Sequence, residues 1–254
     1  MFRCISVVTL SVSFILSGCA SSESVKFSAL ANQSAIVRDG RPALVSKMRN
    51  SIILVSPAER QFKSGARPIF LIAATNMTKT PFDLQIANIN VSQILENGNL
   101  SLLPVVPFET LVHEERRRQI VTAILVGVAA GANAAAVANS GNGTFNANVA
   151  GPYGTQTVSG TYFSPTANAI GQANANAAND VMISNAIETG RQNMAAMEQN
   201  VLKDNTVMPG EWIGGQVFFT SPEQEGTRPK SYTISINFGG EIHNISVSQS
   251  ASGQ

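Results

Sequence analysis

Few side chains in this 254-residue sequence combine the type and spacing that chemistry needs. His243, one of two histidines, follows Glu241 by two residues. On a strand that spacing puts both side chains on one face, where they would offer two ligands to a metal ion. A metal site needs three or four, and no further His or Cys completes this one, so packing is the expected role, with no metal and no cofactor. No Ser-His-acid context, phosphate loop or nucleophile elbow accompanies them, so the chain reads as non-enzymatic. The single Trp, Trp212, lies between Pro209-Gly210-Glu211 and Gly214-Gly215. It reads as core or edge packing, and exposed it would mark a binding face. Arg116-Arg117-Arg118 could hold anionic headgroups. Because Glu114-Glu115 precede the run, a solvated, internally paired first turn of helix is favoured.

One residue does have a recognisable chemical context. Arg3 supplies a short positive segment, and Ile5 to Leu16 is an apolar run of twelve residues that closes on Leu16-Ser17-Gly18-Cys19. The run is too short for a membrane span, which needs about 20 apolar residues. This order of segments resembles the lipobox of bacterial lipoproteins. The resemblance implies a signal peptide over 1–18, cleavage between Gly18 and Cys19, and lipidation of Cys19 on its thiol and its amine. Several acyl chains at about 0.8 kcal/mol per buried CH₂ anchor a protein stably, so the expected membrane contact is the lipid anchor. In that family an Asp after the Cys favours inner-membrane retention; Ala20 stands there instead, which implies the outer membrane.

Loss of Cys4 with the signal and modification of Cys19 leave no thiol for a disulfide, a metal or a nucleophile. Loss of Arg3 takes the formal charge from +1 to zero. A neutral chain with no basic patch carries no field to draw nucleic acid, so no nucleic-acid partner is expected.

The elements around these residues divide by composition. From Gln119 to Asn179 the chain has 61 consecutive residues without Asp, Glu, Lys, Arg or His. Soluble surfaces are normally about a quarter charged, so burial, a membrane or a partner must account for it. Thr110 can cap a helix with Glu114 and Glu115 in its first turns, which Gly141 and Gly143 stop. Ser164-Pro165 starts a second helix. There Ile170, Ala173, Ala177, Val181, Ser184 and Ile187, followed by Met194, Met197 and Val201, make one stripe. The two would be about 43 and 58 Å long. Between them, 144–149 and 155–163 form a small hairpin at the tip.

On either side the pattern turns to β. Residues 20–33 are small and polar and suit a tether. Ser51 to Val55 and Pro68 to Ala74 are short, buried-type strands, and 82–91 alternates with period two. Glu96-Asn97-Gly98-Asn99 is a tight turn before a strand over 100–106. Trp212 to Phe219, Tyr232 to Phe238 and Glu241 to Val247 are strands, the last two joined by Gly239-Gly240 as a primed-turn hairpin. Neither half has strands enough for two faces, so one antiparallel sandwich is expected.

An apolar strand ending in Asn-x-Thr before a Pro turn (Phe70 to Pro81), and Pro209-Gly210-Glu211 followed by Gly215-Gln216-Val217-Phe218, look like immunoglobulin-like domains of exported bacterial lipoproteins. The resemblance implies binding or scaffolding. The fold class that follows is α+β: an antiparallel immunoglobulin-like β-sandwich (35–110 and 206–248) interrupted by an uncharged helical hairpin insert (111–205). A tether over 19–34 precedes it and a tail over 249–254 follows.

Function is expected where charge is missing. Gly127-x-x-x-Gly131 within Ile120 to Ala138 would let two helices approach closely. The segment includes Asn133 and turns Ala-rich, so packing against the second helix or against copies of itself is favoured over a membrane span. The expected interaction surface is Ile120, Ile124, Gly127 and Gly131, with Trp212, toward a protein partner or a homo-oligomer. The span, in a pore or remodelling component, is the alternative; an exported ligand-binding protein or enzyme with an unrecognised site is a third. Strands of a pore from 144–163 are disfavoured, because only Thr155 to Phe163 has the 9 to 11 residues required and its positions are Thr, Ser and Gly.

Overall fold

Period-two burial sets the architecture. In Lys230–Phe238 every second residue is buried, and in Glu241–Ala251 His243, Ile245, Val247 and Gln249 repeat the pattern. Gly239 and Gly240 both have positive φ (63° and 74°), as the expected two-residue turn between these strands requires.

The computed structural model describes residues 22–38, 40–151, 154–225 and 228–251; Gly18 and Cys19 lie outside them. Among the described residues the fold is α+β, with fifteen strands in antiparallel sheets and two long helices. The strands are β1 (Ser22–Ser28), β2 (Gln33–Arg38), β3 (Arg41–Lys47), β4 (Ser51–Pro57), β5 (Phe62–Lys63), β6 (Ile69–Asn76), β7 (Phe82–Leu84), β8 (Ile89–Ile94), β9 (Leu100–Leu102), β10 (Asn142–Gly151), β11 (Gly154–Phe163), β12 (Asn205–Val207), β13 (Trp212–Phe218), β14 (Lys230–Phe238) and β15 (Glu241–Ala251). The helices are α1 (Phe108–Val137) and α2 (Pro165–Asn200).

One sheet has the order β5-β1-β15-β14-β8-β9 and another β13-β6-β4-β3-β2, while β7 with β12 and β10 with β11 form separate pairs. The two large sheets share one core. Phe70 of β6 stacks on Phe219 at 5.6 Å between ring centroids and meets Phe62 of β5 and Tyr232 of β14 at 5.9 and 6.4 Å. Rings buried to this degree contribute roughly 1.5–3 kcal/mol each.

Several boundaries differ from the sequence reading. Residues 22–28 are a strand where a tether was expected, and β15 runs to Ala251 where a tail was expected from 249. The two departures are one event, since β1 pairs with β15 from Glu23↔Ala251 to Ser28↔Ser246. The alternating run 82–91 is broken by a 3-10 turn at Ile86–Asn88, because β7 pairs with β12 while β8 pairs with β14. The strand expected over 100–106 ends at Leu102. Helix α1 starts at Phe108 with Pro107 as its cap residue and no side-chain cap, so Thr110 lies inside the first turn. Ser164 does cap α2, its Oγ accepting from Ala167 N at 3.2 Å.

The start of β1 is held by a buried ion pair. Glu23 and Lys230 are each 4% exposed. Lys230 Nζ donates to both Glu23 oxygens at 2.9 Å, Ser64 Oγ donates at 2.8 Å, and Gln249 Nε2 adds a further bond. Burial opposes ionisation of Glu23, but these donors, Lys230 first, outweigh it and hold the carboxyl below its usual range. Lys230→Met would leave the carboxylate buried and unpaired, and should lower unfolding free energy by about 3–5 kcal/mol in denaturant titration. Glu23→Leu/Lys230→Met should recover part of that loss; a single-variant loss of under about 1 kcal/mol would contradict the assignment.

Candidate functional site

The chain leaves the sheets at Val106 and returns at Val201, and both points are fastened to β13 and its continuation. Val106 N donates to Phe218 O at 2.8 Å, and Leu202 N to Gln216 O at 2.9 Å. A Cβ on Gly215 would lie 2.7 Å from Leu202 N, so only glycine admits the returning strand. Arg67 grips Glu114 with two bonds, at 2.7 and 2.9 Å. From this base α1 and α2, of 30 and 36 residues, run side by side over about 45 and 54 Å.

The helices meet through small and amide side chains. A Cβ on Gly171 would fall 2.5 Å from Ser140 Oγ, and one on Gly190 3.0 Å from Gln119 Cδ. Asn133 Nδ2 donates to Asn179 Oδ1 at 2.9 Å, and Gln119 Nε2 to Gly190 O at 3.1 Å. Glu115, 9% exposed, accepts from Arg118 twice at 2.7 Å, from Gln119 at 3.0 Å and from Asn193 across the interface at 3.3 Å. The Arg118 guanidinium pushes its carboxyl down to about 2 against the effect of burial. Arg118 of the basic run is thus internally paired.

The contact leaves several of the large apolar residues outside it. The apolar stripe expected on α2 divides: Ile170, Val181 and Ile187 are 57%, 58% and 67% exposed, whereas Met194 and Met197 are half-buried and Val201 is buried at the base. Four of the five residues expected on an interaction surface fall together. Ile120, Ile124, Gly127 and Gly131, at spacings of four, three and four, line the side of α1 away from α2. Both isoleucines are 61% exposed, and a Cβ on either glycine would meet nothing within 4 Å. The expectation that this Gly-x-x-x-Gly packs on the second helix is therefore corrected. Val121, Leu125 and Val128, not singled out beforehand, widen the stripe and are equally open. Their helical spacing from Ile120 and Ile124 was the available signal. Trp212 is 53% exposed at the start of edge strand β13, away from this surface.

Glu241 and His243 are brought together, though on Ser51 and not as metal ligands. His243 Nε2 lies 2.8 Å from Ser51 Oγ and Nδ1 2.9 Å from Ser46 Oγ, and all three residues are fully buried. Ser51 donates to the Glu241 carboxylate, so it must accept from Nε2–H, and Ser46 donates to Nδ1. Glu241 also accepts from Arg49 N and Asn50 N at 3.0 and 3.1 Å. The cluster ties the β14–β15 turn to the β3–β4 turn, with the imidazole buried and Glu241 at the partly exposed end. Among the described residues no group of three His, Cys, Asp or Glu is placed to hold a metal.

Burial lowers the pKa of His243, with the Glu241 charge opposing. The folded ring stays neutral while an unfolded His takes a proton below about pH 6.5. Stability from this group is therefore fully present above about 6.5 and is lost as pH falls through the folded value. Urea titrations should show that decline in the wild type and a shallower one in His243→Gln; equal slopes would contradict it. No family model, curated protein or solved structure matches the chain, so its own geometry carries the functional reading.

Proposed function

We propose that this chain is a lipid-anchored lipoprotein of the bacterial outer membrane, a non-enzymatic assembly component whose helical hairpin is the surface through which copies associate. The lipobox-like Leu16-Ser17-Gly18-Cys19 supports the anchor at Cys19. The core shared by two antiparallel sheets supports reading them as an immunoglobulin-like sandwich. The fastening of Val106 and Val201 to neighbouring positions of one strand supports reading 111–205 as its insert.

One observation carries the assembly reading. The outward side of α1 exposes Ile120, Ile124, Leu125 and Val128 by more than 60% each, on a helix with no charge beyond Arg118. Covering such a contiguous apolar face is favourable by about 25 cal/mol per Å² buried, and its two glycines let a second helix come close. Sedimentation of the full chain in mild detergent should give an oligomer that Ile124→Glu or Leu125→Glu reduces to monomer. A monomeric wild type, or a variant of unchanged size, would overturn the reading.

A membrane span through Ile120–Ala138 is the second reading. Its support is an 18-residue window in α1 with mean hydropathy 2.1, none of it buried. Against it, Gln119 and Asn133 are bonded to α2, which carries Asp180 and Glu188 alongside. A dye on Val128→Cys should be shielded by protein in the first reading and quenched by lipid-borne quenchers in the second.

A further inference from the structure

Strands β10 and β11 are ten residues each and pair in full register, yet among the described residues no other strand joins them. By sequence alone only Thr155 to Phe163 is long enough for a transmembrane strand, and it shows no apolar outward face. Pairing overturns both points, because the face is composed jointly by the two strands. On one side Tyr162 lies across from Gly143, Phe145 from Gly160 and Ala147 from Val158, with Gln156 at the register position of Val149 toward the turn. The rings cover the glycines: a Cβ on Gly143 would fall 2.4 Å from the Tyr162 ring, and one on Gly160 2.7 Å from that of Phe145. On the other side stand Thr144 with Thr161, Asn146 with Ser159 and Asn148 with Thr157, with Asn142 opposite Phe163 where the strands meet the helices. There Thr157 Oγ1 donates to Asn148 Oδ1 at 2.8 Å.

We infer that this hairpin is the repeating unit of a transmembrane β-barrel built from several copies of the chain, its apolar face toward lipid hydrocarbon and its amide and hydroxyl face toward an aqueous lumen. Length fits: ten residues at about 3.3 Å, tilted by about 45°, rise some 23 Å, against an apolar band about 25 Å tall. Charge fits as well, since residues 119–179 carry none and nothing charged would have to enter the hydrocarbon. The open edges of β10 and β11 account for the need of copies. An isolated two-stranded hairpin is marginal in water, and in lipid every edge N–H and C=O must be paired. Joining hairpins edge to edge closes both, and the smallest barrels, of about eight strands, would take about four copies. More copies would open a lumen that passes small solutes with little preference for charge.

The inference rests on the association of copies through α1, and its test separates the two. Single cysteines at 146, 147 and 148 and at 157, 158 and 159 in the full chain would carry an environment-sensitive dye. The protein is reconstituted in vesicles of phosphatidylethanolamine and phosphatidylglycerol, with the unsubstituted chain as blank. Ala147→Cys and Val158→Cys should be blue-shifted and quenched by lipid-borne quenchers, and their four neighbours should not. The alternation should persist in a Cys19→Ala background, because the hairpin's own apolar face, and not the lipid, would hold it in the bilayer. Val158→Asp should cut release of a trapped dye by more than about tenfold, and Asn148→Asp should not.

An oligomer with no lipid quenching at any of the six positions overturns the barrel and leaves the α1 interface standing. A monomer overturns both. Alternation that appears in the oligomer without vesicles assigns the apolar face to a protein contact and overturns its assignment to lipid.

Discussion

Where α1 and α2 come together a methyl group at Gly171 would collide with Ser140 and one at Gly190 would press on Gln119, and side-chain amides bond across the contact. This close approach decides the character of the helical hairpin. Ordinary amphipathic helices bury their large apolar residues against each other and show charge to water. Here glycines and side-chain amides sit at the contact, while Ile120, Val121, Ile124, Leu125 and Val128 of α1 face out, with no charged residue among them to keep that side in solvent. An apolar face turned outward over several helical turns is a demand for a cover.

The β portion is the rigid base for that projection. Its two sheets share the ring cluster around Phe70 and are cross-tied by the Ser46–His243–Ser51–Glu241 chain. Glu23, Lys230, Gln249 and Ser64 fasten β1, the first described strand after the lipobox-like Cys19, to the same unit. Ser64 binds Glu23 and Arg67 binds Glu114, three residues apart, so the start of β1 and the first turns of α1 lie at one end of the base. Polar groups buried with all partners present specify one arrangement of the strands, because every alternative register would leave a charge or an imidazole unpaired.

Elements that obey one dominant pattern were legible in the sequence. The Gly239-Gly240 hairpin, the Ser164-Pro165 helix start and the apolar strands over 51–55 and 68–74 are cases. The stripe Ile120, Ile124, Gly127 and Gly131 was also legible as a single face, though its direction was not. Which side of an Ala-, Gly- and Asn-rich helix meets its neighbour depends on where backbones can approach, and hydropathy ranks the wrong side first. Strand β1 was hidden because its pairing face carries Glu23 and matches Gln249 and Lys230 across the sheet, a polar set that reads as tether. The 82–91 run failed for another reason: period-two alternation says that a segment is extended, and is silent on whether its halves join the same sheet. The amphipathic tip was missed because its apolar face is split between two strands, each too glycine-rich to show it alone.

The outward side of α1 calls for a cover in the native protein. Leu125 and Ile242 are exposed to similar degrees in the single chain, 63% and 57%, one on α1 and the other on the β base. A water-soluble maleimide added to intact cells would modify Leu125→Cys and Ile242→Cys in the full chain at rates that report such a cover. A covered helix should make Leu125→Cys slower by more than about tenfold, a ratio that vanishes in denaturant. Equal rates at the two positions under native conditions would contradict the account.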